Sequence, residues 1–287
     1  MRSRRDMTRQ RARRDTLAPR DDVLTPKRVV EVALPACPAE LEPVVLYTCG
    51  SLCPIHKQHV HIQEMAKAQL EADHPIQVVG GFVASSNDLY VEGKYRAGGP
   101  ERMQSFLPWA KRAELIELAL ASHPFIVQDR WDGEQQPHFQ EYFDAHASLQ
   151  THLDSWCAAK ALRRVRVLAV HGADLVEKCN IASWYPRMGL GLVTAERPGY
   201  PMPALTAAQQ RDRSTYLLPL PPAFVQTFGK ADISSSAVQR LLRAPGGTAE
   251  GGLTVQDMLH PDVEAELRQE WGLPVIEGAG TAKCVVT

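Results

Sequence analysis

The sequence lacks any uninterrupted apolar stretch of the roughly 20 residues needed to span a bilayer, and no apolar signal-peptide core follows its first residues. Both absences direct the reading toward a soluble intracellular protein of the nucleus or cytoplasm, with no membrane partner. Its six cysteines (Cys37, Cys49, Cys53, Cys157, Cys179, Cys284) form no C-x-x-C pair and no regular spacing, which argues against a disulfide framework and against a zinc ribbon. The phosphate-loop pattern G-x-x-x-x-G-K-[ST] is missing as well, which sets aside kinase or ATPase chemistry of that type.

What is present is a 287-residue chain with 44% hydrophobic content, enough for one large globular domain with a buried core. The formal net charge of -1 conceals an asymmetry, because the first 28 residues carry ten basic side chains against four aspartates. An Arg-rich, apolar-poor segment cannot bury enough surface to offset its ordering entropy, so Met1 to about Leu24 reads as disordered. The domain plan is a basic tail and Pro-punctuated linker over 1–40, a globular domain over 41–275 and a flexible C-terminal tail over 276–287. The basic tail suits nuclear import or contact with RNA, the only route by which nucleic acid enters as a partner, while Asp6, Asp15, Asp21 and Asp22 disfavour a mitochondrial transit peptide. Lys283-Cys284-Val-Val-Thr287 fits the C-a-a-X pattern formally, but Thr is an atypical last residue.

Short apolar runs alternate with longer stretches of helical period. The spacing predicts strands at Val44 to Thr48, Ile76 to Ala84, Phe125 to Gln128, Val165 to Val170, Leu190 to Thr194 and Ala223 to Phe228. Between them, Ile62, Met65, Ala66, Gln69 and Leu70, then Leu115, Ile116, Ala119 and Leu120, keep i, i+3, i+4 spacing. Val238, Leu241 and Leu242 follow three serines, and a last helix starts near Pro261 with Val263, Leu267 and Trp271 on one face. Alternation of this kind implies an α/β fold, a doubly wound and mostly parallel sheet of Rossmann-like type whose ligands bind at the carboxyl ends of the strands. Gly93 to Pro108, Gly-rich and polar, reads as a mobile loop near that site.

The most informative segment runs from the strand at Val44 through Gly50-Ser51-Leu52-Cys53-Pro54-Ile55-His56-Lys57-Gln58-His59 into a helix. Gly50 and Ser51 allow the backbone to approach an anion, and the free N–H groups and dipole of a helix start attract phosphate oxygens. His56 and His59, three apart, lie on one side of the first turn and can donate to the same phosphate. A metal set of His56, His59 and His61 is the weaker reading, because no Cys or carboxylate lies nearby at a familiar spacing. No protein-held metal site is therefore expected.

This segment resembles the G-S-F-N-P-x-[HT]-x-x-H signature of nicotinamide mononucleotide adenylyltransferases, most closely the eukaryotic type. Asn87-Asp88-Leu89-Tyr90, Pro108-Trp109-Ala110-Lys111-Arg112, Asp129-Arg130-Trp131-Asp132, Gly172-Ala173-Asp174-Leu175 and Ile233-Ser234-Ser235-Ser236 follow in the family's order. The resemblance implies transfer of the adenylyl group of ATP to a pyridine mononucleotide, giving NAD or its deamido form and pyrophosphate, with Mg2+ accompanying the ATP. It implies that His59 contacts the α-phosphate, that Gly50, Ser51, His56, Lys94, Ser234, Ser235, Ser236 and Arg240 hold ATP, and that His59, His56 and Arg240 are catalytic. Gly172 and Asp174 would hold ribose, and Trp131 and Trp184 would shape or stack in the pyridine pocket, with core packing as the alternative for each tryptophan. A homo-oligomer is a further implication, although no sequence feature sets the subunit count.

Two departures stand out. The family's I-S-S-T-x-[IV]-R becomes Ile233-Ser-Ser-Ser-Ala-Val-Gln239-Arg240, which displaces the arginine by one residue, a rotation of about 100° on a helix. The aromatic expected downstream of Trp131 is replaced by His138 or Phe139. Gln239 motivates an alternative of a different class, a catalytically degenerate nucleotide-binding or chaperone-like protein. Within the enzyme class, a nucleotidylyltransferase making a coenzyme A precursor or a CDP-alcohol is disfavoured by Trp184 following Gly172-Ala173-Asp174.

Overall fold

Alternation within the first strand decides what covers each face of the sheet. In β1 (Glu42–Gly50), Val44 and Leu46 point into one apolar cluster while Val45, Tyr47 and Cys49 point into another, the period of two that a pleated strand enforces. Ala66 and Leu70 of the helix Lys57–Asp73 fill the first cluster. Ala145, Leu149, Leu153 and Trp156 of the helix Tyr142–Ala159 fill the second. Helices on both faces explain why β1 is buried at all positions from Pro43 to Cys49.

A computed structural model describes residues 18–135, 140–197, 199–211, 213–220, 233–244, 248 and 252–274. Its sheet joins β1 to β2 (Ile76–Ser85), β3 (Ile126–Asp129), β4 (Arg166–Gly172), β5 (Gly191–Ala195) and β6 (Thr215–Leu218) in the order β3-β2-β1-β4-β5-β6. Every pairing is parallel. This is the doubly wound, Rossmann-like arrangement expected, and the strand order reverses between β1 and β4, where such sheets open a crevice at their carboxyl ends. The helices that position the crevice are α1 (Lys57–Asp73), α2 (Asp88–Arg96), α3 (Trp109–Leu120), α4 (Tyr142–Ala159), α5 (Ala173–Lys178), α6 (Ser235–Arg243) and α7 (Pro261–Glu270). Among the described residues no helix is long and apolar enough to cross a membrane.

Five expected strands stand within a few residues of their anticipated bounds. The sixth, Thr215–Leu218, was not anticipated, because four residues ahead of a proline run offer little periodicity. Ala223 to Phe228, together with His138, Phe139, Lys283 to Thr287 and residues 1–17 of the basic tail, lies outside the described residues.

Two expectations are corrected. From Ala18 onward the segment expected to be a disordered tail and linker is packed. The Arg20 guanidinium, almost fully buried, bonds Asp129 at 2.6 Å, Thr25 Oγ1 at 2.9 Å, Ser148 Oγ at 3.1 Å and the Ala145 carbonyl at 3.1 Å. The helix Arg28–Ala33 then buries Val30, whose methyl would lie 2.9 Å from a Cβ on Gly80. Arginine count alone hid that one of these cations has a buried carboxylate waiting for it. Gly93 to Pro108 is likewise no open loop. Its first residues end α2, Pro100–Met103 adds a helical turn, and Tyr95 and Leu107 are buried, with the Tyr95 hydroxyl donating to the Cys53 carbonyl at 2.7 Å.

Removing one partner of a buried ion pair leaves the other charge uncompensated, a loss of about 3–5 kcal/mol. Arg20→Ala should therefore lower the unfolding free energy measured by urea titration by an amount of that order; a value within error of wild type would show that the segment is not integral to the fold.

Candidate nucleotide-binding site

At the end of β1 the chain turns through Ser51 and Leu52, the latter in the left-handed region (φ 41°), and enters α1 with His56 as its N-cap. One side chain holds this turn in place. Arg112, with no exposed surface, donates to the carbonyls of Ser51 (3.0 Å), Ser86 (2.8 Å) and Leu107 (3.0 Å), to Ser85 Oγ, and to Asp88 (2.8 Å). It thereby ties together the carboxyl ends of β1 and β2 and the start of α2. Arg112 and Asp88, from two of the sequence motifs, thus meet at the turn. Asn87 also caps α2 by accepting from the Tyr90 N–H at 3.3 Å.

The two imidazoles sit where the turn meets α1. Their rings stack with centroids 3.6 Å apart and planes at 25°, and the His56 N–H donates to His59 Nδ1 at 3.1 Å. With Nδ1 accepting, the neutral His59 ring carries its proton on Nε2, so that it presents a donor. His56 Nδ1 is buried without a hydrogen-bond partner. Burial holds the His56 pKa well below 6.5, with His59 and Arg197 adding repulsion, and burial followed by Arg197 and Lys94 depresses His59. Neutral rings at neutral pH are consistent with their stacking.

Around them lies a cavity of about 400 Å³ at the switch point of the sheet. Of the residues singled out from the sequence, Gly50, Ser51, His56, His59, Lys94, Gly172, Asp174, Ser234, Ser235 and Ser236 all line it. Lys94 Nζ donates to Ser51 Oγ at 3.1 Å, and its pKa is lowered by desolvation, then by Arg102 and Lys178. Ser234 caps α6 by accepting from the Ala237 N–H at 3.2 Å, and Ser235 Oγ donates to the Pro54 carbonyl at 2.9 Å, which seats the helix start against the turn. Gly172 precedes α5, and a Cβ there would meet Asp174 Oδ1 at 2.6 Å, so a side chain at this position would displace that carboxylate from where it now stands.

Three of the singled-out residues are placed elsewhere. Arg240 is exposed on α6 and does not line the cavity, while Gln239 turns inward, its amide donating to the Cys53 carbonyl and the Tyr95 hydroxyl, both at 2.7 Å. The one-residue displacement therefore puts an uncharged structural bolt in the inward position. Trp131 is completely buried in the second apolar cluster, its indole N–H donating to the Ala18 carbonyl at 2.8 Å and its face covered by Arg20 at 4.2 Å. Trp184, half-buried at the end of a short helix, is not in the cavity wall.

Sequence reasoning missed Arg197, Lys178, Tyr90, Tyr142 and His171, all in the wall. Arg197 pairs with Asp174 at 2.6 Å. Its only sequence signal was its place just beyond β5, where a switch-point crevice gathers side chains. Among the described residues no three His, Cys, Asp or Glu side chains converge in a way that could hold a metal ion.

Fold and site together define a doubly wound α/β protein with a cavity at the switch point of its sheet and paired imidazoles at the β1–α1 turn. No family model matches the chain. Over 143 residues, 50% of the chain, it is 28% identical to a nicotinamide/nicotinic acid mononucleotide adenylyltransferase of Oryza sativa subsp. japonica, spanning 52% of that protein. Over 89 residues, 31% of the chain, it is 33% identical to nicotinamide/nicotinic acid mononucleotide adenylyltransferase 2 of Danio rerio, spanning 26% of it. The matches thus span about half the length of one curated relative and about a quarter of the other. Two structures of Plasmodium falciparum nicotinic acid mononucleotide adenylyltransferase, complexed with APC and with NaAD, superpose with TM-scores of 0.49 and 0.48 at 15% and 16% identity, covering 81% of this chain and 98% of theirs.

The depressed imidazoles carry a sign. His56, His59, His146 (down to about 3), His152 (down to about 4) and His171 (down to about 4), each lowered first by burial, refuse protons that the unfolded chain accepts below about 6.5. Asp132, raised by burial to about 7, works in the opposite direction but is one group against five. Stability should fall between pH 7.5 and pH 5.5, a window above ordinary carboxylate titration; a denaturant midpoint that is flat or rises toward pH 5.5 would contradict this assignment of neutral rings.

Proposed function

We propose that the chain transfers the adenylyl group of ATP to nicotinamide or nicotinate mononucleotide, releasing pyrophosphate and forming the corresponding dinucleotide. The observation that carries the reading is the stacked His56–His59 pair at the start of α1, with a donor on His59 Nε2 and an unpartnered polar atom on His56, beside the Gly50–Ser51 turn. The names of the two curated relatives support the same chemistry.

In this mechanism a phosphate oxygen of the mononucleotide attacks the ATP α-phosphorus in line. A new P–O bond forms as the bond to pyrophosphate breaks, and the electron pair leaves with pyrophosphate. No covalent enzyme intermediate is needed, so catalysis rests on positioning and on charge stabilisation. His59 donates to an α-phosphate oxygen, where charge builds in the transition state. Ser51, His56, Lys94 and the α6 start at Ser234 to Ser236 hold the outer phosphates, using helix N–H groups as well as side chains. Asp174, already oriented by Arg197, accepts ribose hydroxyl hydrogen bonds. A divalent ion, Mg2+, enters as part of the MgATP substrate, held by phosphate oxygens and water. The cavity carboxylates are engaged elsewhere, Asp174 with Arg197 and Glu196 with the Leu220 N–H at 2.9 Å.

Purified protein given ATP, Mg2+ and either mononucleotide should yield dinucleotide detectable by chromatography. His59→Ala should lower kcat roughly 10²–10³-fold, the typical loss for one transition-state donor, with circular dichroism unchanged. Tight ATP binding without product would favour the catalytically degenerate alternative, for which the inward Gln239 and outward Arg240 are the structural argument.

A further inference from the structure

From Ala18 to Lys27 the chain runs as a strap past the end of β3 and along α4, two elements that flank the cavity without the strap itself lining it. At β3 the strap takes up successive polar groups. Arg20 and Thr25 donate to the two carboxylate oxygens of Asp129 at 2.6 and 2.8 Å, and the Leu24 carbonyl accepts from the Arg130 N–H at 2.8 Å. The Ala18 carbonyl accepts from the Trp131 indole N–H, also at 2.8 Å.

On α4, Arg20 donates to the Ala145 carbonyl and to Ser148 Oγ, both at 3.1 Å. Lys27 Nζ stands 3.2 Å from His152 Nε2 and 5.9 Å from the centre of the Trp156 ring. Positions 145, 148, 152 and 156 follow the i, i+3, i+7, i+11 progression of one helical stripe, about 16 Å long at 1.5 Å per residue. The strap therefore grips α4 from its first turn to its last. Arg20, Thr25, Lys27 and Asp129 are all buried, so these bonds form with little competition from water.

A neighbouring stripe of α4 is tied to β4. His146 Nε2 donates to the Val167 carbonyl at 3.1 Å, and the Gln150 amide meets the Val165 carbonyl and the Val167 N–H at 2.8 and 2.7 Å. Held by β4 and by the strap, α4 has one seat, and its first residue, Tyr142, stands in the cavity wall. The other element that the strap holds also leads to the site. Asp129 is in register with Ala84 of β2, one residue before the Ser85 hydroxyl that Arg112 engages.

We infer that Arg20 is a positioning residue for the cavity: by joining the end of β3 to the first turns of α4, it makes docking of the strap and occupation of the cavity by nucleotide favour each other. The inference takes the identity of the ligand from the proposed adenylyl transfer. Such coupling is reciprocal, so bound nucleotide must hold the strap closed by the same factor, typically about 5–150-fold.

The Arg130 N–H loses its acceptor when the strap leaves, so its hydrogen-exchange rate reports strap opening. In wild type, saturating nicotinamide mononucleotide with a non-hydrolysable ATP analogue should slow that exchange at least about fivefold. Nucleotide that binds by calorimetry yet leaves the Arg130 rate unchanged would overturn the inference. The reciprocal arm uses Arg20→Lys, which keeps a charge opposite Asp129 but gives up the planar fork that reaches both β3 and α4. Its control is Val78→Ala, a core truncation near the amino end of β2. Both variants should lose stability. Only Arg20→Lys should weaken nucleotide binding by about fivefold or more, raise KM more than it lowers kcat, and speed exchange of the Asp144 and Ala145 amides at the start of α4. Wild-type affinity in Arg20→Lys, or an equal loss of affinity in Val78→Ala, would overturn the inference. Wild type whose Arg130 exchange slows with bound nucleotide but which forms no dinucleotide would refute the reaction and support the coupling, whereas wild type that binds neither nucleotide would refute both.

Discussion

A single buried cation organises the site. The Arg112 guanidinium reaches from α3 to the carbonyls of Ser51 and Ser86 and the Ser85 hydroxyl at the carboxyl ends of β1 and β2, to Asp88 at the start of α2, and to the Leu107 carbonyl just ahead of its own helix, and so fixes the turn after β1. A charge with no exposed surface is tolerable only because its donors are met by oxygen atoms. The same bonds that satisfy it fix the Ser51 carbonyl and the first turn of α2, and so Lys94 above Ser51. What a ligand would meet in the cavity is therefore set by a residue the ligand does not touch.

A second brace acts from the other side. Gln239 joins α6 to the Cys53 carbonyl and the Tyr95 hydroxyl, while Ser235 reaches the Pro54 carbonyl. The apolar face of α6, with Val238, Leu241 and Leu242, lies in the same cluster as Leu52, Ile55 and Leu107. The turn after β1 is thus clamped between Arg112 and α6, and the serines at the start of α6 are brought to the cavity as a consequence of packing. In the position where the resembled family carries an arginine, this chain uses a neutral amide that suits a buried slot, and Arg240 one residue later is rotated to solvent.

The architecture was legible where residue patterns repeat. Five strands, their mostly parallel arrangement and the main amphipathic helices follow from β-branched runs and i, i+3, i+4 spacing, and the Gly50 to His59 segment pointed to the turn that lines the cavity. What was not legible depends on long-range partners. Arg20 looked like one of many tail arginines until Asp129, 109 residues away, gave it a buried counter-charge. Gly93 to Pro108 looked polar and loose because Tyr95 and Leu107 find their contacts in α6 and the β1 turn rather than nearby. Trp131 is a case in which residue type misleads, since the indole is held in the core by the N-terminal segment. Tyr142 carried no local signal at all.

The central claim is that the Gly50–Ser51 turn and the stacked imidazoles receive the triphosphate of ATP. A crystal structure with a non-hydrolysable ATP analogue tests it most directly. The account requires the α-phosphate within hydrogen-bond distance of His59 Nε2, with the outer phosphates at Ser51 and the start of α6. A triphosphate bound elsewhere, with both imidazoles untouched by ligand, would contradict it.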